Sequence, residues 1–505
     1  MVAPAFTIFI NHTHVAWAEL WSGGSMDSSS DAPLLAARWE EPGSTSRRWC
    51  REAAQLAGLA APMVVVMLLQ VTMQFISTVM VGHLGDVALA GAAIANSLTN
   101  VSGFSVLIGL AGGLETLCGQ AYGAEQYHTL SLCTYRSIIA LLVVSVPISI
   151  VWCFIPEVLP LMGQEPQIAN EAGKYALWLI PGLFAFGVTQ CFSKFLQCQS
   201  LIFPMVLSSL ITIAVFLPLC WFMVYKVGMG NAGAALSVSI CDWVEVTFLG
   251  LYIKFSPSCE KTRAPPSWEA FRGIGSFMRL AVPSALMICL EWWSYELLVL
   301  LSGMLPNPAL ETSVLSICVS TMILLANLPY GIGIATSVRV SNELGAGNTQ
   351  GPRLVVCVAL SIVVCSAFLV STTLLLLRHF IGIAFSNEEE VRRYVTRMVP
   401  LLSISAITDS LMAVLQGVSR GCGWQHLGAY VNLGAFYLVG IPVALYFGFA
   451  MQLRAKGFWI GILAGGATQV TLLSVITATT NWNKMPNRKQ THWRFGSPDA
   501  RLVGL

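Results

Sequence analysis

From Ala53 onward, long apolar runs alternate with short polar breaks, and twelve of the runs are long enough to cross a bilayer as helices. They are centred near residues 67, 101, 142, 183, 214, 242, 290, 323, 366, 404, 439 and 468. The longest internal polar break, Lys254 to Arg279 with Pro257, Pro265 and Pro266, divides the runs six and six. The pattern predicts a tail over residues 1–50, a first lobe over 51–256, a linker over 257–276, a second lobe over 277–482 and a tail over 483–505. Both tails are expected to be cytosolic, and the first to be disordered.

An internal repeat supports the division. Leu59-Ala60-Ala61-Pro62 recurs as Leu280-Ala281-Val282-Pro283, Gly82-His83-Leu84 as Gly303-Met304-Leu305, and Gln120-Ala121-Tyr122-Gly123-Ala124 as Asn342-Glu343-Leu344-Gly345-Ala346. A later register pairs Tyr175 with Tyr394, Pro181 with Pro400, and Leu196-Gln197 with Leu415-Gln416. Each half crosses the membrane an even number of times, so the halves share one orientation. They should be related by an axis along the membrane normal, an arrangement typical of transporters whose site lies between two bundles.

Of the 505 residues 55% are hydrophobic and only 10% charged, against about 25% charged in a soluble domain. The chain is therefore expected to live in a lipid bilayer. A formal net charge of +2 and scattered basic residues give no reason to expect nucleic acid. One set of loops carries Arg47, Arg48, Arg51, Lys194, Lys254, Lys261, Arg263, Arg272, Arg279, Arg339, Arg353, Arg420, Lys484, Arg488 and Lys489. The opposite set holds Lys226, Arg378, Arg392, Arg393, Arg454 and Lys456 together with Glu157, Glu165 and Glu388 to Glu390. The positive-inside rule then puts both termini in the cytosol.

The polar N-terminal stretch lacks the basic and apolar regions of a signal peptide, and Met26 opens an alternative start. Fourteen cysteines are spread along the chain without a C-x-x-C pair, and the seven histidines follow no ligand spacing. No metal and no resident cofactor are expected. There is no G-x-x-x-x-G-K-[ST] and no hydrolase or kinase motif, so any transport draws on an ion gradient rather than on a nucleotide. The chain is not expected to be an enzyme.

Candidate chemistry centres on Leu290-Glu291-Trp292-Trp293-Ser294-Tyr295-Glu296, which sets two carboxylates near the middle of an apolar run. An ionised carboxylate at bilayer depth costs at least about 2.5–3.5 kcal/mol, so each acid needs a task or a partner. Five residues apart on a helix, Glu291 and Glu296 are rotated by roughly 140°. Glu291 shares its face with Tyr295, and Glu296 with Trp292 and Trp293. One carboxylate can thus face a cavity while the other reaches a neighbouring helix. On the tenth run, Ser405, Met412 and Gln416 lie along the face of Asp409, and such an acid suits either proton carriage or helix–helix hydrogen bonding. Laid over the first half, Glu291 falls on Gln70, Glu296 on Phe75 and Asp409 on Gln190, so these membrane acids belong to the second half alone. Asp242 and Glu245 on the sixth run are further candidates for a first-half cavity, whereas Glu115 reads as a residue at a helix end. The aromatics, Tyr330, Phe436 and Tyr437 among them, suit interfacial belts, packing or the stacking of flat or cationic ligands.

Five motifs in order, Val81-Gly82-His83-Leu84-Gly85, Cys118 to Ala124, Leu290 to Glu296, Arg339 to Gly347 and Thr480-Asn481-Trp482, resemble the multidrug and toxic compound extrusion (MATE) family in its plant form. The resemblance runs from about Arg51 to Lys484. It implies an all-α membrane protein of twelve transmembrane helices in two six-helix lobes forming a V, and alternating-access export of organic compounds against inward proton flow. It also implies coupling acids in the second lobe, at Glu291, Glu296 and Asp409. Bacterial proton-coupled members use an acid on the first span, where this chain offers Gln70 and Gln74. Asp242 and Glu245 are not acids expected of the family.

The expectation is a monomeric antiporter of the plasma or vacuolar membrane that binds a small organic solute, often cationic, with H+ as coupling ion. Tyr295, Trp292, Gln70, Gln190, Ser405, Gln416 and Asp242 are the expected cavity-lining residues. A lipid or lipid-linked flippase is the alternative, and a channel or receptor a more distant one.

Overall fold

The computed structural model describes residues 45–161, 163–265, 267–385, 388–482 and 485. The two chain ends, including Met26, Arg488 and Lys489, lie outside the described residues, as does Lys484. Twelve helical segments are long and apolar enough to cross a membrane. In chain order they are α1 (Ser46–Gly82), α2 (Asp86–Gly123), α3 (Tyr127–Cys153), α4 (Pro166–Cys198), α5 (Phe203–Lys226) and α6 (Gly230–Phe255). The second set comprises α7 (Ile274–Ser302), α8 (Pro308–Gly345), α9 (Gly351–Leu376), α10 (Glu389–Cys422), α11 (Gln425–Ala450) and α12 (Ala455–Thr479). Among the described residues there is no strand.

The helices start and stop where local chemistry says they should. Proline, whose missing N–H is not needed in a first turn, stands at the start of α4, α5, α8 and α9. Helix α10 ends at Gly423, which adopts a left-handed φ of 72° that closes the last turn at little steric cost. Pro62 in α1 and Pro283 in α7, one pair of the repeat, both lie inside their helices. A membrane helix tolerates this because neighbouring helices can satisfy the freed backbone groups.

The segment between the lobes is docked on α3. The Ser131 hydroxyl donates to the Thr262 carbonyl and accepts from the Ala264 N–H at 3.1 Å, while the Tyr135 hydroxyl donates to the Ala264 carbonyl at 2.8 Å. Thr262 also donates to Gln199 of the α4–α5 turn at 2.8 Å.

Across the lobe boundary α2 runs against α7 and α1 against α8. The repeat-related residues meet there reciprocally. Gly119 faces Ser341, a side chain on Gly123 would collide with the backbone carbonyl of Asn342, and one on Gly345 with that of Gln120. Gly123 and Gly345 are repeat partners, as are Gln120 and Asn342, so each half offers the other the same patch. That is the mark of a two-fold interface. It lies at the end of the bundle where α1 begins and α12 ends, here called the terminal face.

More bonds gather at this face. Gln120 donates to the Gly421 carbonyl at 3.3 Å, Asn342 to the Cys198 carbonyl at 3.0 Å, and Arg339 forks onto both oxygens of Glu52 at 2.9 Å while also reaching Glu343 at 3.0 Å. Further along, Gly331 of α8 lies against Val64 and Ala60 of α1, and beyond it Gln70, Gln74 and Phe75 of α1 are exposed. Among the described residues, the hydrogen bonds joining α1 to α8 are those of Arg339 with Glu52, in the terminal-face half.

Two features depart from the sequence reading. Lys194, Arg339 and Arg420 are not loop charges: they sit within α4, α8 and α10 and are held in ion pairs. Glu115 is not a helix-end residue but a buried carboxylate inside α2. Charge patterning alone cannot separate a solvated arginine from one turned inward to a partner, because that partner comes from another helix.

Candidate functional site

Helix α7 distributes its polar residues in two directions. Glu291 turns into the second lobe and is only 2% exposed. Its Oε1 accepts from the Tyr330 hydroxyl of α8 at 3.2 Å, and its Oε2 from the Gln416 amide of α10. Glu296 turns to the first lobe, where Ser97 of α2 donates to its Oε2 at 3.0 Å. Trp293 does the same, its indole N–H donating to the Val101 carbonyl at 2.9 Å. The rotation between positions 291 and 296 thus splits the two acids between a lobe interior and the lobe boundary.

Asp409 on α10 has no hydrogen-bond partner among the described residues and lies within electrostatic reach of Glu291. It lines a void of about 10 Å³ with Met322, Leu325 and Pro329 of α8 and Ser366 and Val370 of α9. That is room for about one water molecule. Tyr295 stands beside both acids and Tyr330, with its ring 6.4 Å from that of Phe436. The amide pair Asn432 and Gln469 extends the polar interior towards α11 and α12: Gln469 donates to Asn432 at 2.7 Å, and Asn432 to the Met287 carbonyl at 2.6 Å. Directly after Asn432, α11 widens into a π-helical stretch, Leu433–Gly440, that carries Phe436 and Tyr437. Such widened turns recur at functional sites.

The remaining candidates fall elsewhere. Ser405 is buried, with its hydroxyl taken by the Trp459 indole N–H at 2.8 Å, so it packs the α10–α12 contact instead of lining a cavity. Trp292 is exposed to 38%, yet its indole stands at the edge of the cluster beside the Tyr330 hydroxyl. Gln70 on α1 is exposed and Gln190 on α4 half-buried, both in the first lobe and outside the hydrogen bonds of the Glu291 cluster. Asp242 lies on α6 with Glu245, whose Oε1 is approached by Ser208 at 3.4 Å and Ser209 at 3.5 Å from α5. This acid pair is separate from the second-lobe cluster.

Sequence reading did not single out Asn432 or Gln469. Their only signal is that of uncharged amides inside apolar runs, and it becomes specific once the helices are packed. Nor did it anticipate the ionic centre of the lobe boundary. Glu115 of α2 receives Lys194 of α4 on one oxygen; on the other it receives Arg420 of α10 at 3.0 Å and Ser337 of α8 at 2.9 Å. Its two cations come from different lobes. Thr116 donates to the Arg420 carbonyl and accepts from Gln425 at 2.6 Å, so the same turn of α2 is bonded twice more to the second lobe.

The arrangement can do two things. It can hold a proton or a cationic group at the acids of the second lobe, and it can latch the lobes at the terminal face. The profile of the MatE family matches residues 62–222 and 283–446, one segment in each lobe. The chain belongs to the MatE family.

Protein DETOXIFICATION 12 of Arabidopsis thaliana is 50% identical over 437 residues, which cover 86% of this chain and 91% of that protein. DETOXIFICATION 14 of the same plant is 47% identical over 463 residues, 92% of this chain and 95% of that protein. The crystal structure of the eukaryotic MATE transporter AtDTX14 superposes with a TM-score of 0.85 at 48% identity, covering 88% of this chain and 99% of that one. A MOP superfamily transporter from Pyrococcus furiosus superposes with a TM-score of 0.78 at 17% identity, over 88% of this chain and 99% of that one, a likeness of fold alone. This MatE protein is accordingly a multi-pass integral membrane transporter, not an enzyme. Its twelve-helix, two-lobed architecture is that of the MATE transporters.

Proposed function

We propose that the protein exports organic solutes, cationic or flat aromatic ones among them, in exchange for protons. Glu291 and Asp409 act as the coupling acids. The observation that carries this reading is the seating of Glu291: a buried carboxylate whose hydrogen bonds come from the neutral donors Tyr330 and Gln416. Arg420 lies within electrostatic reach, but its guanidinium is committed to Glu115. A carboxylate held by neutral donors can gain and lose a proton without breaking an ion pair.

Two negative charges in one low-dielectric lobe cost more than one, so Asp409 and Glu291 favour the arrival of a proton or an organic cation between them. Tyr295 and Phe436 offer aromatic faces next to that position. In the cycle we propose, the ionised acids receive solute from the cytosol. The lobes then rock so that the site meets the acidic side, and protonation releases the solute. Each unit of pH difference supplies about 1.4 kcal/mol per proton, or roughly tenfold in accumulation. We place both termini in the cytosol because Arg47, Arg48, Arg51, Lys254, Lys261, Arg263, Arg272, Arg279 and Arg353 all remain exposed on the terminal face. The host membrane is the plasma or vacuolar membrane, and the working unit is the monomer.

Uptake of a fluorescent organic cation into proteoliposomes, with and without an imposed pH gradient, tests the reading. Gradient-driven accumulation in the wild type and its loss in Glu291→Gln is the expected result. Equal, gradient-independent flux in both proteins would remove the acid from the mechanism.

A further inference from the structure

On the face opposite the termini, the second lobe opens a cleft of about 770 Å³ between the first turns of α8 and α10 and the connection from α11 to α12. Four cationic side chains line it, Arg393, Arg397, Arg454 and Lys456, against two acids, Glu389 and Glu390. Arg393 is paired with Glu389 one turn before it on an exposed surface, and Arg454 reaches Glu311 at 3.6 Å. Arg397 and Lys456 make no ion pair with a described residue. The cleft therefore presents net positive charge with two uncommitted cations.

Its wall is built, not incidental. Glu311, in the first turn of α8, is fully buried and accepts from the Tyr394 hydroxyl at 2.9 Å and from the Ala455 N–H at 3.0 Å. One carboxylate thus ties together α8, α10 and the start of α12. The connection it anchors holds two side-chain-bearing residues in left-handed backbone, Gln452 with φ 53° and Arg454 with φ 55°. Such conformations are rare outside glycine and persist where the surroundings impose them. Here they fix Arg454 over the cleft. Three long helices, α8, α10 and α12, begin around it, and their N-terminal ends add positive potential. At the rim, Leu310 and the 39%-exposed Leu453 provide apolar contact at the level of the span ends.

We propose that this cleft binds a phosphate group, carried by an anionic phospholipid of the adjoining leaflet or free in solution. Guanidinium groups match the geometry of phosphate oxygens, and a lysine adds a point charge. The position at the ends of four spans puts the cations at headgroup depth, within reach of lipid phosphates. This site is distinct from the acids of the lobe interior, and its occupancy does not depend on what the transporter carries.

Thermal-shift titrations of the purified full-length protein in neutral detergent test the proposal, with three probes: inorganic phosphate, short-chain phosphatidylglycerol and short-chain phosphatidylcholine. Saturable stabilisation by phosphatidylglycerol alone identifies a lipid headgroup site, and stabilisation by phosphate as well identifies recognition of the phosphate itself. In either case the Arg397→Gln, Lys456→Gln double variant should bind at least tenfold more weakly while melting at the wild-type temperature without ligand. Glu390→Gln, which removes an unpaired negative charge from the wall, should bind several-fold more tightly. The proposal is overturned if neither anionic probe stabilises the protein, if phosphatidylcholine does so equally, or if the charge variants bind as the wild type does.

Discussion

The carboxylate of Glu115 on α2 meets the guanidinium of Arg420 on α10 at 3.0 Å, across the boundary between two lobes whose partners are 305 positions apart in the chain. Lys194 approaches the same carboxylate from α4, so one buried acid is shared by a cation from each lobe. A lobe motion that opens the terminal face has to separate Arg420 from Glu115.

Breaking such a buried pair by removing one partner costs about 3–5 kcal/mol, because it strands an uncompensated charge. Glu115→Gln strands two. It is expected to lower the melting temperature and to favour the state open at the terminal face. Cys118 and Cys198 are buried, whereas Cys50, Cys153, Cys357 and Cys365 are exposed. With those four replaced, maleimide labelling of Cys118 and Cys198 should rise in Glu115→Gln over the parent. Unchanged labelling and melting would show that the ion pair is no latch.

The reciprocal glycine contact makes a second expectation. Gly123→Leu sets a side chain against the Asn342 backbone, where neither neighbour can turn aside. The variant should still insert and keep its helices, since the apolar length of every span is unchanged, yet fail to close at the terminal face. Solute uptake should fall at least tenfold with monodisperse elution retained, and Gly345→Leu should match it because the two positions are related by the repeat. Wild-type uptake in both would contradict the packing.

Tyr330→Phe and Gln416→Leu each deprive one oxygen of the Glu291 carboxylate of its donor. A hydrogen bond to a charged group is worth about 1.5–3 kcal/mol. Gradient-driven uptake is expected to slow by roughly tenfold or more in either variant, with less than additive loss in the double variant because both act on one carboxylate. Initial rates in proteoliposomes at matched protein density measure this.

Glu245 offers the contrast. Its serine donors stand at 3.4 and 3.5 Å, and an amide oxygen can accept from them as well as a carboxylate can. Glu245→Gln should leave gradient-driven uptake within about twofold of wild type, a change in rate of less than about 0.5 kcal/mol. A loss as complete as that of Glu291→Gln would place a second coupling acid in the first lobe.

The sequence by itself determined the twelve spans, their division into two lobes and the acids at membrane depth. These follow from the chemistry of one helix at a time: an apolar run of sufficient length, a proline or glycine at its end, a charge that a bilayer penalises. The repeat pairs Gly123 with Gly345 and implies an axis relating the halves, but that these glycines meet the opposite half's backbone is a matter of packing. What only the tertiary structure decided is which polar group meets which. Glu291 and Glu296 are neighbours on α7, yet one is held inside the second lobe by Tyr330 and Gln416 and the other by Ser97 of the first. Arg420 and Lys194 looked like loop charges and Glu115 like a helix end until three helices brought them together. Asn432 and Gln469, and the burial of Glu311 beneath the basic cleft, were equally invisible. Burial in lipid depends on a residue's own run, whereas hydrogen bonds and ion pairs at these positions depend on the rotation and spacing of helices far apart in the chain, which packing alone sets.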